Sequence, residues 1–347
     1  MSPSSVSDRP TVFVYEHITA GGCGGAPPSS LLAEGGAMRR ALLDDLRRGD
    51  RFRRAHTIDG LDRSTHRAAA ALDESFVCSH SVRDDSERIA TIQRLAASTG
   101  GAIVIAPESD GALWNVAAAV VHAGGRLWSP SPEVIAAASD KCRMHKLLSD
   151  ANVPTPAGQL TKRVEPQTTV PAVLKPRDGA GSQGIQLLRR PATEAYNLPR
   201  EQWLEEFVPG APASVAVLAG GHQLRALPAC HQRLGPDFEY LGGATITDRA
   251  QAARAEELAV RAIAALPHPV GFLGVDLVLG DTDDGTGDVV IEVNPRLTTS
   301  YVGLRELART NLATAMIDIA EGGTPALSFG EQAVEFQPDG ACRLRSI

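Results

Sequence analysis

The run Val289-Val290-Ile291-Glu292-Val293-Asn294-Pro295-Arg296 constrains this chain most, because a β-forming segment there carries a carboxylate, an amide oxygen and a guanidinium in close succession. On an extended strand side chains alternate, so Glu292 and Asn294 share one face while Ile291 and Val293 turn toward a core. Hard oxygen donors suit Mg²⁺, and Arg296 just beyond them suits a phosphate or carboxylate. Upstream, Gly271-Phe272-Leu273-Gly274-Val275-Asp276-Leu277-Val278-Leu279 is an apolar run interrupted by one acid. The Gly/Asp/Thr-rich residues 280–288 between them are turn chemistry and predict a long-looped antiparallel hairpin. A register centred near Asp284 sets Asp276 opposite Glu292, to within a residue or two, and lets Asp276, Glu292 and Asn294 converge on one or two Mg²⁺ ions. Alone, such a hairpin would be read as a sheet edge with solvated acids.

Three further segments accompany it. Val173-Leu174-Lys175-Pro176 reads as a strand ending in a lysine, followed by Gly179, Ala180, Gly181, Ser182, Gln183 and Gly184, then a return strand at Ile185-Gln186-Leu187-Leu188. Glycines let backbone N–H groups approach phosphate oxygens. Neither familiar glycine fingerprint fits: no Gly-Lys-Ser/Thr ending is present, and strand rather than helix follows. Trp203-Leu204-Glu205-Glu206-Phe207-Val208-Pro209-Gly210 ends an apolar strand with two acids and a break, a way to present backbone groups and a glutamate to an adenine edge. Ser139-Asp140-Lys141 opens a helix that Asn152-Val153-Pro154 ends. Lys141 and Lys175 are therefore candidate phosphate cations on separate elements.

The N-terminal half alternates strands with helices. Thr11-Val12-Phe13-Val14-Tyr15-Glu16 is a buried-type strand, with a helix expected over 29–48, strands near Thr57-Ile58 and Ser75-Phe76-Val77, a helix over 84–98, and a strand at Ala102-Ile103-Val104-Ile105. Such alternation implies a parallel sheet whose strand ends collect ligands. Glu16 and Glu108 both lie at such ends.

In this order the four motifs resemble the ATP-grasp superfamily of carboxylate-amine ligases over roughly residues 130–320. The resemblance implies mixed α/β and α+β architecture: an ATP-grasp fold with an N-terminal Rossmann-like pre-ATP-grasp domain. The expected divisions are a mobile segment 1–10, a pre-ATP-grasp domain 11–130, an ATP-grasp domain 131–327 of two subdomains with ATP between them, and a tail 328–347. It also implies that Lys141, Lys175 and residues 179–184 hold ATP phosphates, and that Glu205, Glu206, Phe207 and Val208 meet adenine. Asp276, Glu292 and Asn294 would hold Mg²⁺, or Mn²⁺ in its place, with Arg296 and Lys175 as catalytic cations; from the residues themselves, Cys230-His231-Gln232-Arg233 follows a polar-broken strand, and Arg233 is favoured over His231 to join them at the phosphates. Ala211-Pro212-Ala213 stands where many members carry a ribose-binding glutamate, so that contact is not carried over.

The loop after Tyr15-Glu16-His17, the segment Leu32-Ala33-Glu34-Gly35-Gly36-Ala37-Met38 and the ending Asn294-Pro295-Arg296-Leu297-Thr298-Thr299-Ser300-Tyr301 are similar to tyramine-glutamate ligases of methanofuran biosynthesis and their bacterial methylofuran-associated relatives. This implies amino-acid and amine substrates, with Glu16 on an ammonium group and Thr299, Ser300 or Tyr301 on a substrate carboxylate; Glu16 is equally compatible with capping a nearby helix or pairing with an arginine. Another amino-acid or peptide ligase, or a noncatalytic nucleotide sensor, stays open. The three metal-type residues favour catalysis.

A chain of 347 residues with 43% hydrophobic content can bury a substantial core. Its net charge of −7 argues against a nucleic-acid partner, and no apolar stretch reads as membrane-spanning. Cys23, Cys78, Cys142, Cys230 and Cys342 are scattered, without a metal spacing or CxxC, and imply reduced thiols in a cytoplasmic protein. His17 reads as structural, Arg225 as a surface residue, and a homo-oligomer is compatible with the sequence.

Overall fold

The computed structural model describes residues 9–60, 72–179 and 184–346. The expectations for the first eight residues and for Ala180, Gly181, Ser182 and Gln183 lie outside the described residues. The N-terminal unit comprises β1 (Thr11–Glu16), α1 (Ser29–Arg48), β2 (Arg54–Gly60), β3 (Val77–Val82), α2 (Asp85–Ser98), β4 (Ala102–Ile105) and α3 (Ala112–His122). Its strands form a parallel sheet in the order β3-β2-β1-β4. Alternation along β1 explains the two covered faces. Val12 and Val14 pack with Leu42 and Leu46 of α1, whereas Phe13 and Tyr15 pack with Ile92 and Leu95 of α2 and Leu113 and Val116 of α3. The strand expected near Ser75 begins instead at Val77. Ser75 and Phe76 belong to a turn in which Asp73 accepts both their amides, through its side chain and its carbonyl respectively.

After α4 (Pro132–Ala138) and α5 (Lys141–Asp150), the strands β5 (Gly158–Val164), β6 (Ala172–Pro176), β7 (Gln186–Leu188) and β8 (Tyr196–Glu206) make an antiparallel sheet in the order β5-β8-β6-β7. A larger antiparallel sheet follows from β9 (Ala211–Gly220), β10 (Gln223–Ala226), β11 (Cys230–Leu234), β12 (Tyr240–Thr245), β13 (Gly271–Leu279) and β14 (Val289–Asn294). Helix α6 (Arg249–Ala264) covers one face, where Val215 and Val217 meet Leu258 and Ala259. Helices α7 (Ser300–Leu307) and α8 (Leu312–Ala320) pack with Ala216 and Leu218 in a core shared with α1.

The C-terminal residues set apart as a tail in fact complete this sheet. Strands β15 (Ala333–Phe336) and β16 (Cys342–Arg345) join it beside β12, and Phe336 is 1% exposed in the shared core. A Cβ on Gly303 of α7 would lie 2.3 Å from the Phe336 ring, so the helix needs glycine there for close approach. No helix among the described residues is long and apolar enough to cross a membrane.

Tyr301 helps to join the two halves. It is fully buried, its hydroxyl donates to Asp45 Oδ2 at 2.6 Å, and Arg305 binds Asp45 Oδ1 at 2.6 Å. This corrects the expectation that Tyr301 positions a substrate: the phenol is committed to α1. Replacing it, Tyr301→Phe, should cost about 1–3 kcal/mol by leaving a buried acceptor underbonded, with every substrate KM unchanged. A selective rise in one KM without loss of stability would return Tyr301 to the substrate.

Candidate active site

The cationic side is built from two short elements tied together. Asp140 caps α5 by accepting the amides of Cys142 and Arg143 at 3.0 and 3.2 Å, and its other oxygen accepts from Arg177 at 2.7 Å. The Lys141 amide donates to the Arg177 carbonyl at 3.1 Å, which fixes the helix start against the end of β6. A lysine in the first helical turn opposes the helix dipole. Its compensation is Glu292, whose Oε1 lies 3.1 Å from Lys141 Nζ. Burial works against the Lys141 ammonium, but Glu292 and the more distant Glu108 and Glu205 prevail and raise its pKa.

Lys175 stands at the end of β6 on the face opposite Leu174, 5% exposed, and pairs with the 7% exposed Glu205 of β8. The Trp203 indole donates to the second Glu205 oxygen at 2.9 Å. Glu205, expected at adenine, is thus held by a lysine and an indole in this structure. Glu206 is exposed, and the amides of Glu206 and Phe207 are bonded to the carbonyls of Ala157 and Pro171. The Val208 amide has no hydrogen-bond partner among the described residues and remains an available donor. Gly184, just before β7, adopts φ +73°, the left-handed region that glycine tolerates.

The acidic side is the β13–β14 hairpin. Asp276 pairs with Glu292 in the register expected, and a bulge follows between Asp276 and Leu277. Asp276 accepts from Gln232 Nε2 at 2.8 Å and from Asn294 Nδ2 at 2.9 Å. Burial and then the Glu292 charge push its pKa up to about 6, against those two hydrogen bonds. Glu292 differs: burial would raise it, but Lys141 and Lys175 hold it below the usual carboxylate range.

Arg296 is turned back by its own amide, which donates to the Asn294 carbonyl at 2.8 Å. Its Nε lies 3.0 and 3.1 Å from the two oxygens of Glu108, which follows β4 at the ligand-bearing edge of the parallel sheet. Burial raises the Glu108 pKa, Arg296 pulls it down and Glu292 pushes it up again.

Asp276 and Glu292, paired across the hairpin, and the Asn294 amide oxygen are hard oxygen donors of the kind a divalent cation takes. The Asn294 nitrogen faces Asp276, so its oxygen is the atom free for a ligand.

Other expected residues lie elsewhere. Gln232 points at Asp276, so alternation sends His231 and Arg233 to the opposite face. Arg233 is exposed, with its nearest bond to the Leu241 carbonyl at 3.5 Å, and the catalytic role expected of it has no support in this geometry. Glu16 is 1% exposed and accepts the amides of Ile18 and Thr19 at 3.0 and 2.7 Å, so it caps its own turn instead of presenting a free charge. Thr299 donates to Glu34, and Ser300 shares a 2.9 Å bond with Thr298. Burial, and secondarily Arg88, lower the His17 pKa to about 4, in keeping with a structural histidine 3.1 Å from Tyr15.

Gln232 and Glu34 were not assigned to the site from sequence, and Glu108 was placed only at a ligand-collecting strand end, without its partner Arg296. The parity of Gln232 with the buried Cys230 was the available signal for the first.

The raised pKa of Asp276 sets a pH dependence. A carboxyl that is more easily protonated when folded adds stability below its ordinary 3.8, and that contribution is lost as the pH rises through about 6. Without divalent cations, the melting temperature of the wild type should therefore fall across that window. Asp276→Asn should flatten the fall and abolish its reversal by Mg²⁺. An unchanged pH profile in the variant would show that Asp276 is not the strained group.

Comparison with known proteins identifies the domains and the fold. Residues 138–300 match the ATP-grasp domain family and residues 61–135 match the pre ATP-grasp 3 domain family. The tyramine–L-glutamate ligase of Methanocaldococcus jannaschii is 26% identical over 239 residues, covering 69% of this chain and 68% of that protein. An ATP-grasp superfamily protein of Archaeoglobus fulgidus superposes with a TM-score of 0.71 at 22% identity, over 94% of this chain and 92% of the other. The ADP complex of an N5-carboxyaminoimidazole ribonucleotide synthetase gives 0.69 at 14% identity, over 94% and 81%. Residues 138–300 thus match an ATP-grasp domain and the residues before them a pre-ATP-grasp domain, and the chain has the ATP-grasp fold with a pre-ATP-grasp N-terminal domain.

Proposed function

We propose that the protein is an ADP-forming ligase that joins the carboxylate of glutamate to tyramine, tyrosine or a related amine such as an aminomethylfuran, in assembly of a methanofuran- or methylofuran-type one-carbon cofactor. The observation that carries the ligase reading is the interleaving of Lys141, Lys175 and Arg296 with Asp276, Glu292 and Asn294. A site that only senses a nucleotide needs fewer oxygen donors beside its phosphate cations. The substrate class is supported by the likeness to the tyramine–L-glutamate ligase and by the loops that follow β1 and Arg296.

A carboxylate is a poor electrophile, so one of its oxygens first takes the γ-phosphoryl group of ATP, breaking the bond to the β-phosphate and releasing ADP. The amine then attacks the carbonyl carbon of the acyl phosphate. The C–N bond forms, phosphate leaves, and the amine gives up a proton. Lys141 and Lys175 are the residues for the phosphate oxygens, and Arg296 for the transferred group or the substrate carboxylate. Asp276, Glu292 and Asn294 would hold Mg²⁺, or Mn²⁺, which when bound neutralises phosphate charge. Residues 179–184 suit a lid that keeps water from the acyl phosphate.

Incubating the protein with Mg²⁺, ATP and pairs of amino acids and amines should release ADP only with a matched pair, and mass analysis should find the amide. Glu292→Gln keeps an acceptor for Lys141 but removes a charge. It should lower kcat by roughly 10²–10³-fold, the scale seen when one preorganised electrostatic group is lost, with a native circular dichroism spectrum and a lower melting temperature, because Lys141 loses its counter-charge. Wild-type turnover in that variant would remove Glu292 from the site, and ADP release without any amide would contradict the ligase reading.

A further inference from the structure

We propose that His56, Cys78 and His80 form a binding site for one Zn²⁺ ion at the outer edge of the parallel sheet, distinct from the carboxylate site. His56 of β2 lies opposite Cys78 of β3, and Ile58 lies opposite His80, so alternation puts all three side chains on one face. His56 Nδ1 and His80 Nε2 are 3.0 Å apart, Cys78 Sγ is 3.8 Å from the same Nε2, and the three donor atoms lie within 4.8 Å of one another. Tetrahedral Zn²⁺, with bonds of roughly 2.0–2.3 Å, spaces its nitrogen and sulfur ligands roughly 3.3–3.6 Å apart. Adjustments of about an ångström or less therefore close the site. Each donor is half-buried, which leaves room for a water as fourth ligand.

The donor set selects the metal. One thiolate and two imidazoles suit Zn²⁺ and discriminate against Mg²⁺, the reverse of the preference at Asp276 and Glu292. Both imidazoles are kept neutral and able to ligate: burial lowers the His56 pKa, helped by His80, Arg54, Arg94 and Arg53, and burial with Arg94 lowers that of His80. The same arginines oppose a cation, and the Cys78 thiolate offsets one positive charge. On binding, Cys78 loses its thiol proton to solvent. The His80 proton moves to Nδ1, which the exposed Arg94 contacts at only 3.5 Å and can release. The ion would pin the edge strand β3 to β2.

The competing state is a hydrogen-bonded histidine pair with no metal affinity. Co²⁺ titration of the full-length, reduced, chelator-treated protein separates the two, because thiolate ligation gives a near-ultraviolet charge-transfer band that carboxylates cannot. One Co²⁺ per chain should produce the band, Zn²⁺ should remove it, and Zn²⁺ should raise the melting temperature. Cys78→Ser should lose both effects while keeping its circular dichroism, and Cys23→Ser and Glu292→Gln should keep both. Should Cys78→Ser not fold, His80→Asn should weaken Co²⁺ binding by at least tenfold. Absence of the band in the wild type, or its survival in Cys78→Ser or undiminished in His80→Asn, would overturn the proposal.

Discussion

Glu292 lies 3.1 Å from Lys141, feels the charges of Lys175 and Arg296, and sits across the ladder from Asp276. None of these charges would be tolerated alone, since a buried pair stripped of one partner costs several kcal/mol. The arrangement is stable because each acid has a cation or amide on it: Lys141 on Glu292, Lys175 on Glu205, Arg296 on Glu108, Gln232 and Asn294 on Asp276. Asp276 is the exception in charge, bonded by neutral amides only and pushed toward protonation. That residual repulsion between carboxylates is what a divalent cation would relieve. The same crowding explains why cations and acids are contributed by separate elements, since each must be oriented by its own backbone.

The rest of the fold serves that convergence. The parallel sheet brings Glu108 to its ligand-bearing edge, the small antiparallel sheet carries Lys175 and Glu205, and the large one carries Asp276 and Glu292. Polar ties keep the N-terminal unit in register with the sheets, among them Glu108 with Arg296, Asp45 with Tyr301 and Arg305, and Arg51 with Asp318. A shared apolar core, running from Val12 and Leu42 to Leu218 and Met316, makes the same connection without charge. Substrates would then meet groups whose positions are fixed by packing on both sides.

What the sequence disclosed follows from locality. Period-two alternation and turn chemistry were sufficient for the β13–β14 hairpin, including the pairing of Asp276 with Glu292, because both strands lie within a short stretch of chain. The start of α5 was legible from Asp140 and Lys141 for the same reason. Roles that depend on distant partners were not. Tyr301 looked like a loop residue beside the site until α1 supplied Asp45, and Arg233 looked the better ligand until strand parity sent Gln232 inward instead. Glu16 was open between a substrate ammonium and a local structural role, and the amides of Ile18 and Thr19, which fold back upon it, give it the second. Cysteine spacing gave no metal signal because His56 and Cys78 meet only through parallel strand pairing.

The central claim is that this site activates a carboxylate by phosphorylation before amide formation, and oxygen tracing tests it most directly. Glutamate labelled with ¹⁸O in its carboxyl groups is turned over with unlabelled ATP and the matching amine, and the phosphate released is analysed by mass. Transfer through an acyl phosphate predicts one labelled oxygen in each phosphate and none in the nucleotide. Label in AMP, or phosphate that carries none, would contradict the account.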